Sequence, residues 1–456
     1  MLKVIALMGV FLATMMGVTV PVTLAEAEET KRSSLGGRWN VVLNMPRDSY
    51  ELPVEFVVAV SGKVTVTVLG PLGTFRINDT KARLDGNKLT IGAETSYGKL
   101  RIDATLEGDR LRGKWFHEGL VERLFFNGEV RGLRDRSYVA KPPLEVFDAI
   151  WSYLERDFYR PDFNSVDVRS LRSRYRPQAA AGRNDGEFLA LVRRMLGEFR
   201  TSHLEFFAAP SWSKELHPVR VTNSDTSAGI TWRQLAPSVG YLRIESFEDG
   251  PKVVGRIDRA FAELGDYAAL VVDLRGNGGG ALSTAMRLGD HLLPRMQPVG
   301  YFASRAGLTR HGARSIDQIN PKALPVFSGY DSADLAREMT NKGALMLATG
   351  GRAERPYRGR AVVLIDEYCF SASEALASVV KETHAATLIG RRTAGAMLAA
   401  NPVSLEGGWT LLLPVWDFRT PQGVGVEGRG VEPTIAVKYR DDKDADIAAA
   451  LAFLSQ

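Results

Sequence analysis

The sequence predicts a multidomain chain of mixed class: an N-terminal all-β domain (a small barrel or sandwich), a short helical segment, and an α/β core. Three observations predict it. Val64, Val66 and Val68 alternate with Thr65 and Thr67, the period of a strand with one buried face. Leu144, Phe147, Ile150, Trp151, Leu154 and Phe158 recur at helical spacing. Beyond Val239, short apolar runs alternate with longer amphipathic stripes, the pattern of crossover connections. With 456 residues the chain is too long for one ordinary core. The boundaries read as 1–27, 33–132, 142–213 and 214–456.

The first segment reads as an export leader. Lys3 supplies one positive charge, the following residues to Val20 are uncharged, and Ala25-Glu26-Ala27 gives the small-x-small pattern of a cleavage site. The apolar run is nearly long enough for a membrane anchor, but it ends directly in that site. No stable membrane insertion is expected after cleavage, and the mature chain is expected in the periplasm or outside the cell. Hydrophobic residues at 45% and charged residues at 24% are ordinary for a globular protein. A formal charge of +5 is spread without a Lys/Arg block, so no nucleic-acid footprint is read. One cysteine, Cys369, allows no internal disulfide, and no Cys/His or carboxylate cluster has metal-ligand spacing. No cofactor is expected.

Within the β-domain, Asp85-Gly86 separates Leu84 from Leu89-Thr90-Ile91 and predicts a hairpin. Gly37-Arg38-Trp39 and Gly113-Lys114-Trp115 each place an indole two residues after a glycine, as core residues or as plugs of a barrel end. Residues 131–141 read as a basic linker. Pro143 suits a first helical turn, and Asn184 with Glu187 forms a capping-box pattern before the stripe Phe188, Leu191, Val192, Met195, Leu196, Phe199. In the core, strands are expected at 240–244, 269–274, 361–365 and 387–390. Helices are expected between 253 and 264, over 282–293 and from about 373. Residues 304–360 break the rhythm and read as a surface insertion.

Two segments carry chemistry. In Asp366-Glu367-Tyr368-Cys369-Phe370-Ser371-Ala372-Ser373-Glu374 a strand ends, the chain turns and a helix begins. A Ser on such a turn is exposed beside helix-start N–H groups that stabilise developing negative charge, and the Ala372 N–H would face the site. Either Ser371 or Ser373 could instead be a plain helix cap. Asp273-Leu274-Arg275-Gly276-Asn277-Gly278-Gly279-Gly280 follows another strand. Its glycines allow positive φ and close backbone approach, so the turn can aim N–H groups at an anion. It is neither a phosphate loop nor a dinucleotide fingerprint.

Together these segments resemble the C-terminal processing (tail-specific) protease family, whose signature is a D-L-R-x-N-x-G-G turn and, later, S-A-S-E. The resemblance continues through Gly390, Thr393 and Gly395, through Thr420-Pro421-Gln422-Gly423, and through Gly430-Val431-Glu432-Pro433. It implies an α/β peptidase core of the ClpP/crotonase-like type, Ser371 as nucleophile, and oxyanion donors at the N–H of Ala372 and of Gly279 or Gly280. The Ser/Lys branch of the family keeps its base in T-F-G-K. Here the segment is Thr393-Ala394-Gly395-Ala396, so Ala396 stands where the lysine would be. The tricorn-like branch uses a Ser-His pair after a helix and a Glu upstream of G-V-x-P. Thr201-Ser202-His203 and Glu427 match those elements. The resemblance therefore implies His203 as general base, with Ser202 and Glu427 orienting it. His117, His217, His291, His311 and His384 lack this context.

Only 35 residues separate His203 from Val239, so the PDZ domain that many members insert before the core does not fit there. The activity implied is hydrolysis of polypeptide substrates by a Ser371 acyl-enzyme, with homo-oligomers possible in principle. The rival reading is a binding protein on a catalytically dead scaffold, for which the family has a precedent in a retinoid-binding protein of the eye. The β-domain would then be its ligand-binding barrel.

Overall fold

The computed structural model describes residues 34–44, 49–70, 82–95, 98–119, 125–135, 141–182, 184–208, 229–293, 295–354, 356–438 and 444–456. The leader expected over 1–27 lies outside the described residues. Among those residues, no helix is long and apolar enough to cross a membrane.

The N-terminal strands are β1 (Gly37–Asn44), β2 (Ser49–Val58), β3 (Val64–Val68), β4 (Arg83–Asp85), β5 (Lys88–Thr95), β6 (Gly98–Glu107), β7 (Arg110–Gly119) and β8 (Phe125–Arg134). They form one antiparallel sheet in the order β3-β2-β1-β8-β7-β6-β5-β4. A bridge between Lys63 and Arg83 joins its two ends, with the Val64 N–H donated to Ala82 O at 3.1 Å. This is an up-and-down barrel, an arrangement that removes exposed strand edges. Strand alternation fills its interior: Trp39, Val41 and Leu43 pack with Val54, Phe56, Ile102 and Leu111 in a core of their own. The hairpin at Asp85-Gly86 is present, with Gly86 at φ +58°. Trp39 and Trp115 are buried, and their indole N–H groups reach Leu35 O at 2.8 Å and Asn44 O at 3.1 Å. The basic linker expected from residue 131 starts later, because β8 runs to Arg134. Val130 and Gly132 continue the inward alternation there, and Arg134 covers the Trp39 ring at 4.8 Å.

Three helices follow: α1 (Pro143–Asp157), α2 (Val168–Ala180) and α3 (Asp185–Gly197). Pro143 opens α1, and Asn184 caps α3 by accepting the Glu187 N–H at 2.9 Å. The sequence does not announce α2. Its buried positions, Leu171, Tyr175 and Ala179, form a stripe one residue wide among arginines. After β9 (Glu205–Ala208) come β10 (Ile230–Ala236), β11 (Val239–Ile244), α4 (Pro251–Leu264), β12 (Ala269–Asp273), α5 (Leu282–Leu292) and β13 (Pro298–Ser304). Then follow α6 (Arg305–Arg310), β14 (Val326–Phe327), α7 (Ser332–Lys342), β15 (Ala344–Ala348), β16 (Arg360–Ile365) and α8 (Ala372–Thr383). The chain closes with β17 (Thr387–Gly390), β18 (Ala399–Leu405), β19 (Trp409–Arg419), β20 (Ile435–Ala436) and α9 (Ala445–Leu454).

These strands make two sheets. One runs β10-β11-β12-β16-β17-β20, parallel except at β10; the other runs β14-β15-β13-β19-β18, with β9 paired to β19. The stretch 304–360 is more than a surface insertion. All of β15 is buried, and it pairs with β13. Helix α8 is buried from Ala372 to Val380, as expected of a helix covered on all sides. β12 and β16 are parallel neighbours, so the glycine turn and the Ser371 turn leave the same sheet edge side by side.

Candidate active site

Ser371 is the N-cap of α8 and sits at φ +54°, ψ −118°. That region is costly for a residue with a Cβ, about 1–3 kcal/mol, and persists only where the surroundings fix it. Four hydrogen bonds fix it here. The Ser371 N–H is shared between Ala396 O at 3.0 Å and Glu374 Oε2 at 3.2 Å, and the Ser371 O accepts the N–H groups of Glu374 and Ala375. Its side chain remains half-buried, whereas Ser373 is fully buried. Ser373 Oγ is occupied by Asn277, at 2.8 Å to Oδ1 and 3.0 Å to the backbone O. The two serines of the motif thus separate: Ser371 stays partly exposed, and Ser373 ties α8 to the glycine turn.

The glycine turn lies directly against Ser371. A Cβ on Gly279, at φ +87°, would stand 2.8 Å from Ser371 Cβ and 3.1 Å from Ala372 N. Only glycine fits such an approach. Asp366 clamps the turn by accepting from Gly276 N at 2.9 Å and Tyr368 N at 3.0 Å. Of the two glycines expected as donors, Gly279 gives its N–H to Asn277 Oδ1 at 2.9 Å. It is therefore not available to a substrate oxygen. Gly280 is held by the bridge to Phe247 in a way that does not use its N–H. Among the described residues, neither the Gly280 nor the Ala372 N–H meets an acceptor.

Glu374 was visible in the sequence only as a motif letter. The structure makes it a hub: it accepts from Thr393 Oγ1 at 2.6 Å, Gly395 N at 2.7 Å and Ala396 N at 2.7 Å, besides Ser371 N. Burial still pushes its carboxyl up to about 7, against those donors. Ala396 is buried and contributes backbone alone, its N–H to Glu374 and its O to Ser371.

Ser202, His203 and Glu427 form a second assembly. Glu427 Oε2 accepts from Ser202 Oγ at 2.8 Å and Met397 N at 2.8 Å, and Oε1 accepts from Ser202 N at 2.8 Å. Ser202 Oγ also lies 2.8 Å from His203 Nδ1. A hydroxyl has one proton, and this one goes to the carboxylate, so Ser202 accepts from an Nδ1–H. The proton on Nδ1 leaves Nε2 as the basic nitrogen of the ring. Burial raises the Glu427 carboxyl, with the Ser202 and Met397 donors opposing it. Burial also lowers the His203 imidazole to about 4, although part of the side chain remains exposed.

The two assemblies meet on one dipeptide. Ala396 O holds the Ser371 N–H, and the next N–H, that of Met397, holds Glu427. Of the sequence-predicted residues, Ser371 lies in the first hydrogen-bonded group and Ser202, His203 and Glu427 in the second; Ala372, Gly279 and Gly280 stand beside Ser371 outside both. Cys369 stands apart as a buried thiol donating to Leu274 O at 3.0 Å, and burial pushes its pKa well up, which suppresses a thiolate.

Known peptidases are similar to two regions of this chain. The model for peptidase family S41 matches residues 238–437, and that for the tricorn protease C1 domain matches residues 141–197. The chain is 27% identical over 209 residues to the carboxy-terminal processing protease CtpB of Bacillus subtilis (strain 168), covering 45% of this chain and 35% of that one. It is 26% identical over 227 residues to the chloroplastic C-terminal processing peptidase of Tetradesmus obliquus, covering 48% and 40%. The match thus spans well under two thirds of either relative. A crystal structure of a peptidase-like chain from Parabacteroides merdae ATCC 43184 superposes with a TM-score of 0.52 at 19% identity, over 70% of this chain and 98% of the other, a likeness of fold. Residues 238–437 thus match peptidase family S41, residues 141–197 match the tricorn protease C1 domain, and the curated relatives of the chain are C-terminal processing peptidases.

Proposed function

We propose that the protein is a serine peptidase that cleaves exported polypeptides through a Ser371 acyl-enzyme. In this reading His203 Nε2 takes the Ser371 Oγ proton as the oxygen attacks the scissile carbonyl, then returns it to the leaving amine. Ser202 passes the orienting pull of Glu427 to Nδ1 and steadies the imidazolium that forms. The N–H groups of Ala372 and Gly280 receive the oxyanion. Water, deprotonated by the same nitrogen, then releases the acyl group. The observation that carries the reading is the hydrogen-bonded chain from Glu427 through Ser202 Oγ to His203 Nδ1, tied through Met397 and Ala396 to the strained Ser371.

The small-x-small site after the leader supports export to the periplasm or beyond, and cell fractionation with N-terminal sequencing of the mature chain tests it. With little room for an inserted PDZ domain between His203 and Val239, selection of substrate rests on the α/β cleft, the stretch 304–360 or the β-domain. Homo-oligomers remain compatible with this reading, and light scattering decides them. No observation favours the rival of a catalytically dead binding protein. A serine-directed fluorophosphonate, compared on wild type, Ser371→Ala and His203→Ala, tests the function without knowledge of the substrate. Labelling that survives in Ser371→Ala removes the assignment.

A further inference from the structure

The barrel grips both elements that flank Ser202 and His203. On one side is the start of α3, whose Glu187 N–H goes to its own cap. The two preceding donors go to the barrel: Glu55 of β2 accepts from Asp185 N at 3.2 Å and Gly186 N at 2.8 Å. A carboxylate there satisfies orphan helix donors and meets the positive end of the helix dipole. Arg38 of β1 adds an ion pair to Asp185 at 2.9 Å, gives Nη1 to Gly407 O at 3.1 Å and lies 4.9 Å from the Trp409 ring. Trp409 in turn stacks on Phe206 at 4.6 Å, three residues past His203.

On the other side is β9. Ala208 N donates to Leu69 O at 2.7 Å, just beyond β3, and Leu69 is buried in the main core and not in the barrel's own. Arg193 of α3 bridges Phe206 O at 3.0 Å and Gly70 O at 2.9 Å. Between these anchors the chain turns through Arg200 at φ +48° and His203 at φ +58°. Such a turn keeps its shape only where its flanks are fixed.

Resting on the assignment of His203 as base, we propose that the barrel is a positioning element for catalysis. Through Glu55 and the close seat of Gly186 on β3, it holds Ser202 and His203 in register with Ser371. Neither residue touches substrate; both act through α3.

The contact offers a steric test. A Cβ on Gly186 would fall 2.7 Å from Thr67 Oγ1 and 3.0 Å from Thr67 Cγ2, so Gly186→Ala wedges α3 away from the barrel. Within the helix alone the change is favourable, because alanine is the better helix former. Kinetics of the full chain on one fluorogenic peptide read the effect. Gly186→Ala is expected to lower kcat about tenfold with KM within about twofold, the response to a misplaced catalytic group. Adding Thr67→Ala removes the two nearest atoms and is expected to restore most of kcat, while Thr67→Ala alone stays near wild type. Glu55→Gln, which keeps one acceptor oxygen, gives a smaller loss in the same direction, and it carries the test if Gly186→Ala fails to fold. Wild-type kcat in Gly186→Ala, or a loss that Thr67→Ala does not rescue, overturns the proposal; so does wild-type kcat in Glu55→Gln where that variant carries the test. A wild type whose rate does not depend on His203 overturns the base assignment, and the proposal falls with it.

Discussion

The backbone oxygen of Ala396 accepts the Ser371 N–H at 3.0 Å, at the position where the Ser/Lys branch of the family carries its lysine. Ala396 is fully buried between that bond and the one from its own N–H to Glu374. A lysine there would have to bury an ammonium beside a site that must also accommodate protonated His203. Ala396→Lys is therefore expected to lower the melting temperature and to reduce kcat/KM, since an overpacked core alone costs about 1–3 kcal/mol. Thermal unfolding and peptide kinetics check it, and a faster enzyme would contradict the account.

Ser371→Ala and Ser373→Ala should fail in different ways. The first removes the nucleophile and is expected to lower turnover by about four orders of magnitude or more, with an unchanged melting temperature. The second deletes the bonds from Ser373 Oγ to Asn277 and leaves Asn277 Oδ1 with Gly279 N and Asn277 O with Phe370 N as their remaining donors. It should cost about 0.5–1.5 kcal/mol of stability while retaining turnover. Calorimetry beside kinetics separates them; an exchange of the two phenotypes would mean the wrong serine has been chosen.

Glu427→Gln keeps the shape of the carboxylate but sets an amide NH₂ against one of the groups that now donate to it. The Ser202 relay loses its acceptor charge. A rate loss of about ten- to hundredfold is expected, milder than that of His203→Ala because the group orients and does not transfer the proton. Equal losses in the two variants, measured as kcat/KM, would show that Glu427 does more than orient.

His203 and Glu374 should tilt the stability profile in opposite directions over nearly the same pH range. His203 is lowered from 6.5 to about 4, so the folded state resists its proton. Its contribution is present above pH 6.5 and is lost as pH falls towards 4. Glu374 is raised from 4.5 to about 7, so its contribution is present below pH 4.5 and is lost as pH rises through 7. Glu374→Gln removes the falling contribution, so stability should rise more steeply with pH between 4.5 and 7 than in the wild type. Urea unfolding across that range measures it, and an unchanged slope would contradict the role given to Glu374.

The parts legible in the sequence are those where local chemistry and pattern coincide. The strand–turn–helix at Ser371 and the glycine turn were readable because φ > 0 and close approach demand particular residue types. Ser202, His203 and Glu427 were readable only through resemblance, since residues 202 and 427 are brought together by the fold and not by spacing. What stayed hidden was hidden for physical reasons. The N–H of Gly279 is taken by Asn277, a choice of hydrogen-bond partner that no pattern records. Glu374 gathers donors from a loop some twenty residues on. β15, though wholly buried, follows two helices and a short strand in a segment without the βα rhythm, so its role in the second sheet could not be read. The docking of Glu55 on α3 joins residues 130 apart through a helix end that already had a cap.

The central claim is that His203 is the base that activates Ser371. The most direct measurement is the rate of fluorophosphonate labelling of Ser371 against pH, in wild type and in His203→Ala. Neutral imidazole is the active form, so the wild-type rate should rise with pH through a midpoint below 6.5, moved acidward by the burial of His203. In His203→Ala the rate should fall by about two orders of magnitude or more and lose that acid limb. A His203→Ala protein that labels at the wild-type rate, with the same profile, would contradict the claim.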